Sequence, residues 1–384
     1  MLDNLNLKIS AIQNDPTLDA HHRFKSISEV YLHTIHNARK HNLMPQSQLA
    51  NLLILYAQFL LTNGHPQTAV RNYHEALQLY RILAVEEPQK YQSQMAKVLN
   101  LIGDIDWQNH HYNEAAQTYT EALNIYRQQS QSQPDIHLPE VARTLNKIAT
   151  CHQENNHYTQ ALSLYQEAYN IFTQLDKQRP HIHDSDLAKT LNHLGALHAD
   201  MEQYIQAEQF YQQSLSIYRQ LAQADSPIYD PLIATLLTNL GALYDSQSQY
   251  PEAEQAYLEL LKIRQELAQT NPQQHQPYVA IALNNLGVLY YETNQYSKSE
   301  QYLNQTLALY QKLAQTDPMA YEPDVAMTLG NLAELNRVID FHQSQALVYA
   351  QEALQRYQHL AQQNFKAYQP HVVRIQDLIT QIKG

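Results

Sequence analysis

The amino-acid sequence predicts an all-α fold, an α-solenoid of about seven helix-turn-helix repeats with helical caps. Small residues recur every 46 positions, and most prolines follow the same period. A repeat of this length is the signature of stacked supersecondary units. No segment alternates between apolar and polar residues with the period of a strand. The small residues of this series are Ala57, Gly103, Ala149, Gly195, Gly241, Gly287 and Ala333.

One unit, residues 139–183, illustrates the pattern. Pro139 opens the first helix, since a first helical turn tolerates a missing N–H. The residues 155–157 break that helix, and a second helix begins at about Thr159. It must stop before Pro180, because the residue that precedes a proline is pushed out of the α region. A loop of about ten residues, with a Pro-x-x-Tyr/His pattern, is expected to join each unit to the next.

Recurring small and aromatic residues indicate how the helices pack. Gly inside a helix costs roughly 0.5–1 kcal/mol relative to Ala, so its recurrence implies that a neighbouring helix approaches closely. Aromatic residues of the second helices also recur every 46 positions and are expected in the core, with their hydroxyls at the rim. These residues are Tyr73, Tyr119, Tyr165, Tyr211 and Tyr257.

The ends of the chain depart from the pattern. Residues 1–48 lack the periodic glycine and alanine residues and are predicted to form a degenerate N-terminal helical cap. Residues 49–368 hold the seven repeats of 46 residues, and residues 369–384 are predicted to form a C-terminal capping helix. Repeat arrays need such caps because each unit buries its apolar face only against its neighbours.

Composition excludes several classes of protein. The net charge is −12 with 25 basic residues, which argues against binding nucleic acid or an anionic membrane surface. A single cysteine, Cys151, excludes an internal disulfide framework. No apolar run is long enough to span a bilayer, and the N-terminus does not read as a secretory signal. We therefore expect a soluble, cytoplasmic protein.

The sequence contains no catalytic signature, so we predict a protein that is not an enzyme and has no cofactor. It has no Gly-rich phosphate loop, nucleophile elbow or His-Glu-x-x-His motif. Cys151 is interpreted as a small buried residue rather than a nucleophile. His181 and His183 flank Ile182, but no phased carboxylate or cysteine completes a ligand set, so no metal site is predicted.

The repeat residues resemble the tetratricopeptide repeat. Leu283, Leu286-Gly287 and Tyr290 occupy the places of its first helix, and Ala253 and Tyr257 those of its second helix. The period of 46 rather than 34 residues is similar to that of kinesin light chains and many bacterial tetratricopeptide proteins. The resemblance implies a right-handed solenoid whose first helices line a concave groove that binds peptides.

The same resemblance implies a set of groove residues on the first helices. These are Lys97, Asn100, Trp107, Arg143, Asn146, Lys147, Lys189, Asn192, His193, Asn239, Asn284, Asn285, Tyr291 and Asn331. Threonine and apolar residues continue one of these rows at Thr235, Ile281 and Met327. The clamp of heat-shock co-chaperones, which grips a C-terminal carboxylate, is disfavoured because it needs lysine where Asn100 and Asn146 stand.

Two interpretations of the recurring asparagines remain open. Asparagine carries both a donor and an acceptor, so a row of them could bind the amides and carbonyls of an extended peptide. Alternatively, they only join neighbouring helices. The basic residues Lys97, Arg143, Lys147 and Lys189 would favour an acidic segment or a terminal carboxylate.

The leading hypothesis is a non-enzymatic scaffold that binds an extended or helical segment of a partner protein in the concave groove. The alternative is an intracellular peptide-sensing regulatory receptor that changes its superhelical shape on binding. The partner's identity, the pathway and the oligomeric state are left open by the sequence.

Overall fold

The computed structural model describes residues 2–339 and 341–384. Residues 1 and 340, which belong to the predicted cap and the predicted repeats, lie outside the described residues. The described chain forms seventeen α-helices and no strand, which confirms the predicted all-α fold. It divides into two compact units, Met1–Leu197 and His198–Gly384. None of the described helices combines the length and the apolar character that crossing a membrane requires.

The first unit begins with two helices that precede the repeats and continues with alternating first and second helices. Consecutive helices from α1 to α8 pack against one another. The helices are α1 (Leu2–Gln13), α2 (Ala20–His41), α3 (Gln46–Thr62), α4 (Pro66–Glu86), α5 (Pro88–Gln108), α6 (Tyr112–Ser130), α7 (Pro134–Glu154), α8 (Tyr158–Gln178) and most of α9 (Asp184–Asp200). The odd-numbered helices from α3 onwards are the first helices of the repeats, and the even-numbered helices from α4 are the second.

The second unit continues the same alternation and ends with one additional helix. Each helix from α10 to α17 packs against the next. The helices are α10 (Tyr204–Ala222), α11 (Ser226–Ser246), α12 (Tyr250–Thr270), α13 (Pro272–Glu292), α14 (Tyr296–Thr316), α15 (Pro318–Val338), α16 (Gln343–Gln363) and α17 (Phe365–Lys383).

A left-handed residue closes each tight turn between a first helix and its second helix. In the turn after α7, Asn156 has φ 58°, and the N–H of His157 donates to the carbonyl of His152 at 2.8 Å. This six-to-one bond is that of a Schellman motif, which caps the end of the first helix. The left-handed position recurs every 46 residues, at Gly64, His110, Asn156, Glu202, Ser248 and Asn294.

The small residues of the first helices are buried against the second helices, as predicted. A Cβ atom added to Gly103 would lie 2.5 Å from Cε1 of Tyr119, and one added to Gly241 would meet the ring of Tyr257. The ring of Tyr119 therefore occupies the space that the missing side chain leaves. All seven small residues of the series are buried.

Five first helices begin earlier than predicted, so the long loop expected between repeats is mostly absent; they are α5, α7, α11, α13 and α15. The Pro-x-x-Tyr/His segment that was assigned to the loop is the first turn of α7, with Pro134 as its first residue. Pro139 lies inside that helix, where it removes one amide partner from the carbonyl of Asp135. Asp135 is exposed, so water can satisfy this carbonyl. Helices α9 and α3 begin later than the others, at the equivalent residues Asp184 and Gln46, and α9 keeps a short loop after Pro180.

The last helix also begins before the predicted boundary. Helix α17 starts at Phe365 rather than 369, because the side chain of Asn364 caps it by accepting from the N–H of Ala367 at 3.2 Å. Pro370 lies inside the helix, like Pro139 in α7. The N-terminal region contains α1 and α2, and α3 begins at Gln46, close to the predicted start of the repeats at 49.

Two periodic contacts join neighbouring repeats within each unit. An aromatic residue in the second half of a second helix packs on a ring at the start of the next first helix, with ring centres 6.0–6.5 Å apart. This ring lies in the first turn of the helix, except for His183, which immediately precedes α9. These pairs are Tyr80–Tyr91, Tyr126–His137, Phe172–His183, Tyr218–Tyr229 and Tyr310–Tyr321. Exposed ion pairs link adjacent second helices, at Arg81–Glu121, Arg127–Glu167 and Arg219–Glu259.

Candidate functional site

A cavity of about 400 Å³ lies on the first helices of the first unit, between α5, α7 and α9. Six of the predicted groove residues line it: Trp107, Arg143, Asn146, Lys147, Lys189 and His193. Two carboxylates that the sequence analysis did not select, Asp104 and Asp186, line it as well. The structure thus brings the predicted residues of three successive first helices together around one space.

Arg143 is not free, although the sequence analysis treated it as part of an uncompensated basic cluster. Its Nε and Nη2 atoms donate to the two carboxylate oxygens of Asp186 at 2.9 and 2.7 Å. Its Nη1 atom donates to Glu140 at 2.6 Å. This forked arrangement fixes the guanidinium and neutralises its charge.

Lys147 is also paired, which corrects its assignment to the basic cluster. Its Nζ atom donates to the two oxygens of Asp104 at 2.5 and 2.8 Å. The hydroxyl of Tyr119 donates to the same carboxylate at 2.6 Å, and the ammonium lies 5.3 Å from the centre of the Tyr119 ring. Lys97 and Lys189 are exposed and form no ion pair with a described residue, so Lys189 is the one unpaired cation that lines the cavity.

Asn146 joins two first helices through one half of its amide. Its Nδ2 atom donates to the hydroxyl of Thr190 at 2.7 Å, and that hydroxyl donates to the backbone carbonyl of Asp186 at 2.9 Å. Because the single hydroxyl proton of Thr190 is already used, the hydroxyl can only accept from Asn146. The network therefore fixes the orientation of the amide, with the nitrogen towards Thr190.

The other half of the Asn146 amide has no partner. Its Oδ1 atom is buried and accepts no hydrogen bond, and the side chain that carries it lines the cavity and is 6% exposed. Asn100 forms the same bond one repeat earlier, to Thr144 at 3.2 Å, and its Oδ1 atom is likewise without a partner. Asn100, however, does not line the cavity. Within Asn146, the contact between helices thus uses the Nδ2 atom and leaves the Oδ1 atom unused.

His193 forms part of the cavity wall as a neutral ring. It stacks on Tyr165, with ring centres 5.3 Å apart and planes 7° from parallel. Burial, together with the positive charge of Lys189, lowers the pKa of His193 to about 4. The imidazole therefore carries no charge at neutral pH and presents one donor and one acceptor nitrogen. Trp107, which is 36% exposed, stands beside Tyr112 with ring centres 6.4 Å apart.

The predicted residues of the second unit have a different environment. Asn331 donates through Nδ2 to Oδ1 of Asn284 at 3.2 Å, so this pair joins α13 and α15. Asn239, Asn285 and Tyr291 are partly buried. Burial raises the pKa of the Tyr291 hydroxyl, and the charge of Glu334 raises it further. In the first unit, Asn192 is partly buried on α9 and makes its own interactions.

Two other groups considered in the sequence have structural explanations. Cys151 is buried, and burial raises the pKa of its thiol to about 12, which leaves it protonated and unreactive. His181 lies close to Asp176 and Asp184, and one ligand atom of each lies within 4.8 Å of the others. The backbone N–H of His181 donates to Asp176 and its ring Nδ1 pairs with Asp184, so His181 joins the two carboxylates and holds the short loop before α9. The absence of a metal site stays a prediction.

A spacing signal could have revealed the two missed carboxylates. Asp104 and Lys147 are 43 positions apart, as are Arg143 and Asp186. Equivalent residues of adjacent repeats are 46 positions apart. A residue 43 positions further along therefore lies on the next first helix, one helical turn before the equivalent position. Opposite charges at this step therefore predict ion pairs between first helices.

Comparisons with known proteins identify the repeat. Two tetratricopeptide repeat models match residues 186–266 and 279–318, and an SHNi-TPR model matches residues 96–132. No curated protein matches the sequence significantly.

Several solved structures share the fold at low sequence identity. BtubC (BKLC) from P. vanneervenii is 19% identical, with a TM-score of 0.53 over 65% of this chain and 91% of that chain. The signal transduction ATPase (STAND) protein with a tetratricopeptide repeat sensor from Pyrococcus horikoshii is 13% identical, with a TM-score of 0.56 over 97% of this chain and 54% of that chain. The quorum sensor NprR from B. thuringiensis, in its apo form, is 11% identical, with a TM-score of 0.50 over 100% of this chain and 99% of that chain. The family models thus find tetratricopeptide repeats within three segments of the chain, and the solved structures show that the chain shares the fold of tetratricopeptide repeat proteins.

Proposed function

We propose that the first unit binds an extended peptide segment of a partner protein in the cavity between α5, α7 and α9. The observation that carries this proposal is the buried Oδ1 atom of Asn146, an acceptor without a donor on a side chain that lines a cavity of about 400 Å³. An unsatisfied buried acceptor costs about 1–3 kcal/mol, and a ligand that donates to it recovers that cost. The volume is typical of ligand pockets.

A peptide main chain suits the hydrogen-bonding groups that remain available. Its N–H would donate to Oδ1 of Asn146, and a carbonyl or carboxylate oxygen would accept from the unpaired ammonium of Lys189. Because Arg143 and Lys147 are already neutralised by carboxylates, the preference for an acidic segment rests on Lys189. That preference is therefore weaker than a cluster of four basic residues would give.

The main test compares two matched asparagine variants. Peptides that bind the full chain are selected from a displayed random library, and their affinities are measured by fluorescence anisotropy. Asn146→Ala should weaken binding about tenfold, since it removes one hydrogen bond to the ligand. Asn100→Ala is the control, because it loses the same bond between helices but no cavity group. Equal affinity for Asn146→Ala and the wild type would refute the proposal.

A second comparison tests the preference for acidic ligands. Lys189→Glu should weaken the binding of acidic selected peptides several-fold at low salt and leave neutral peptides less affected. Lys97→Glu makes the same change of charge at an exposed position that does not line the cavity. If both variants weaken binding equally, the effect comes from the net charge of the protein rather than from the cavity.

The sensor alternative remains open. Two structural neighbours are described as a quorum sensor and as a protein with a tetratricopeptide repeat sensor, but at such low identity they share only the fold. Small-angle scattering with and without a selected peptide separates the alternatives, since a sensor should change its radius of gyration and a passive scaffold should not. The cytoplasmic location and the absence of catalysis stay predictions.

A further inference from the structure

One junction of the second unit breaks the periodic aromatic contact between repeats. The position occupied by Tyr80, Tyr126, Phe172, Tyr218 and Tyr310 in the other repeats is Arg264 in α12. In each of the other five, the aromatic ring packs on a ring at the start of the next helix, and in four of them that ring lies in the first turn. The chain thus places a permanently charged side chain where its own pattern calls for an apolar one.

Arg264 is buried without a counterion. Arg264 is 7% exposed, and no carboxylate of the described residues forms an ion pair with its guanidinium. Its guanidinium carbon lies 4.6 Å from the centre of the Tyr278 ring on α13. Burial lowers the pKa of the guanidinium, in the direction expected of an uncompensated charge.

Stacking on Tyr278 uses only the face of the guanidinium. The N–H donors of arginine lie in the plane of the group, so the edge that could hold a carboxylate remains available. None of these donors forms a hydrogen bond with a described residue of the chain. The guanidinium nitrogens are not among the fully buried polar atoms that lack a partner, so the edge keeps some access to solvent although most of the side chain is buried. A carboxylate at this edge would compensate a charge that is only partly hydrated.

His275, which neighbours the ring of Tyr278, is a second group without a hydrogen-bond partner. It lies in the first turn of α13, and its Nδ1 atom is buried and forms no hydrogen bond. Its ring centre is 6.4 Å from that of Tyr278, which is 45% exposed. Ile281 follows Tyr278 by one helical turn and is 41% exposed. Two unsatisfied polar side chains therefore flank an accessible apolar surface.

We propose that Arg264 and Tyr278 form a docking site for an acidic side chain of a partner protein, whose carboxylate pairs with the edge of the Arg264 guanidinium. A carboxylate matches a single guanidinium in charge and in its planar, two-pronged geometry. A phosphate would bring nearly two negative charges to one cation. The exposed Tyr278 and Ile281 would contact an apolar residue next to the acidic one. The site lies in the second unit and does not depend on the peptide cavity of the first.

The test uses nuclear magnetic resonance on the full chain with labelled arginine side chains. N-acetylglutamyl-leucine amide is the probe, the glutaminyl analogue is its neutral control, and the phosphoseryl analogue represents a phosphate source. Loss of a cross-peak in Arg264→Tyr, which restores the residue of the neighbouring repeats, assigns the Arg264 Nε–Hε signal. The glutamyl probe should shift this signal saturably, and the glutaminyl analogue should not. Arg264→Lys, which lacks the signal, should bind the glutamyl probe about tenfold more weakly, measured from the line widths of the probe's own resonances.

Three outcomes would overturn the proposal. The first is no shift with the glutamyl probe, and the second is an equal shift with the glutaminyl analogue. The third is tighter binding of the phosphoseryl analogue, which would make a phosphate rather than a carboxylate the preferred ligand of the site. If Arg264→Tyr does not fold, Arg264→Lys assigns the signal and the comparison of the three probes still decides.

Discussion

The two units share their packing and differ on the faces of their first helices. In the first unit, Arg143 and Lys189 occupy the row that Thr235, Ile281 and Met327 occupy in the second. Ion pairs between first helices surround the cavity of the first unit. The buried glycines and tyrosines, in contrast, recur in both units. Residues that recur with the period therefore maintain the fold, and residues that break the period distinguish one surface from another.

The units also satisfy their tyrosine hydroxyls differently. In the first unit, Tyr119 of a second helix donates to Asp104 of its own first helix at 2.6 Å. In the second unit, Tyr244 and Tyr290 of first helices donate to glutamates of the preceding second helices, Glu208 and Glu254. For these three tyrosines, the partner at the rim of the core is thus the same repeat's first helix in the first unit and the preceding second helix in the second unit.

The largest expected effect tests the packing that the two units share. Gly103→Ala and Gly241→Ala should each destabilise the protein by about 3 kcal/mol, because the new methyl group collides with a buried tyrosine ring. Chemical denaturation monitored by circular dichroism measures the loss. Gly330→Ala is the control, since its Cβ would lie 3.1 Å from the mobile Cδ1 atom of Ile375. A loss confined to one unit's variant would show that the packing is not shared.

An intermediate effect distinguishes the first unit by its pH dependence. The pKa of His193 is about 4 in the folded chain, below the usual value of about 6.5 that applies when unfolded. As the pH falls from about 6.5 to 4, the unfolded chain binds the proton first, so the free energy of unfolding decreases by about 2 kcal/mol.

The variant His193→Asn introduces the residue that the second unit has at the equivalent position, Asn239. Its free energy of unfolding should decrease less between pH 6.5 and 4 than that of the wild type, measured by urea titration at each pH. Identical pH profiles for the two proteins would contradict the low pKa of His193.

The smallest expected effect concerns the exposed ion pairs of the second helices, which occur in both units. In Arg127–Glu167 and Arg219–Glu259, both side chains are at least 35% exposed. Double-mutant cycles with alanine should give coupling energies of about 0.5 kcal/mol or less at both pairs, and added salt should reduce them further. A coupling above about 1 kcal/mol in one unit would reveal a contribution to stability that exposure does not predict.

The period of 46 residues predicted the fold class, the turns and the buried small residues, because each depends on local pattern. The start of the second helix of one unit was predicted at about Thr159 and lies at Tyr158. The predicted starts of the first helices are wrong in five repeats, where the first turn accommodates a proline such as Pro134 and Pro139 lies inside the helix. They are close to the observed starts in α3 and α9.

The composition of the site was only partly predictable. Resemblance to a family selected the cavity residues Arg143, Asn146 and Lys147, but it gave no information on their pairing. Whether a charge is free depends on the neighbouring helix, which lies 43 positions away and outside any local window. The unsatisfied half of the Asn146 amide depends on a proton of Thr190, which only the three-dimensional network fixes.

The prolines inside the first helices have a consequence for opening of the chain. Pro139, Pro231, Pro277 and Pro323 each remove one amide from the second turn of their helix. The turn before each proline is therefore the least firmly held part of that helix. Amide hydrogen exchange should begin in these turns, so that fraying starts at the same place in several repeats and leaves the remainder of each hairpin closed.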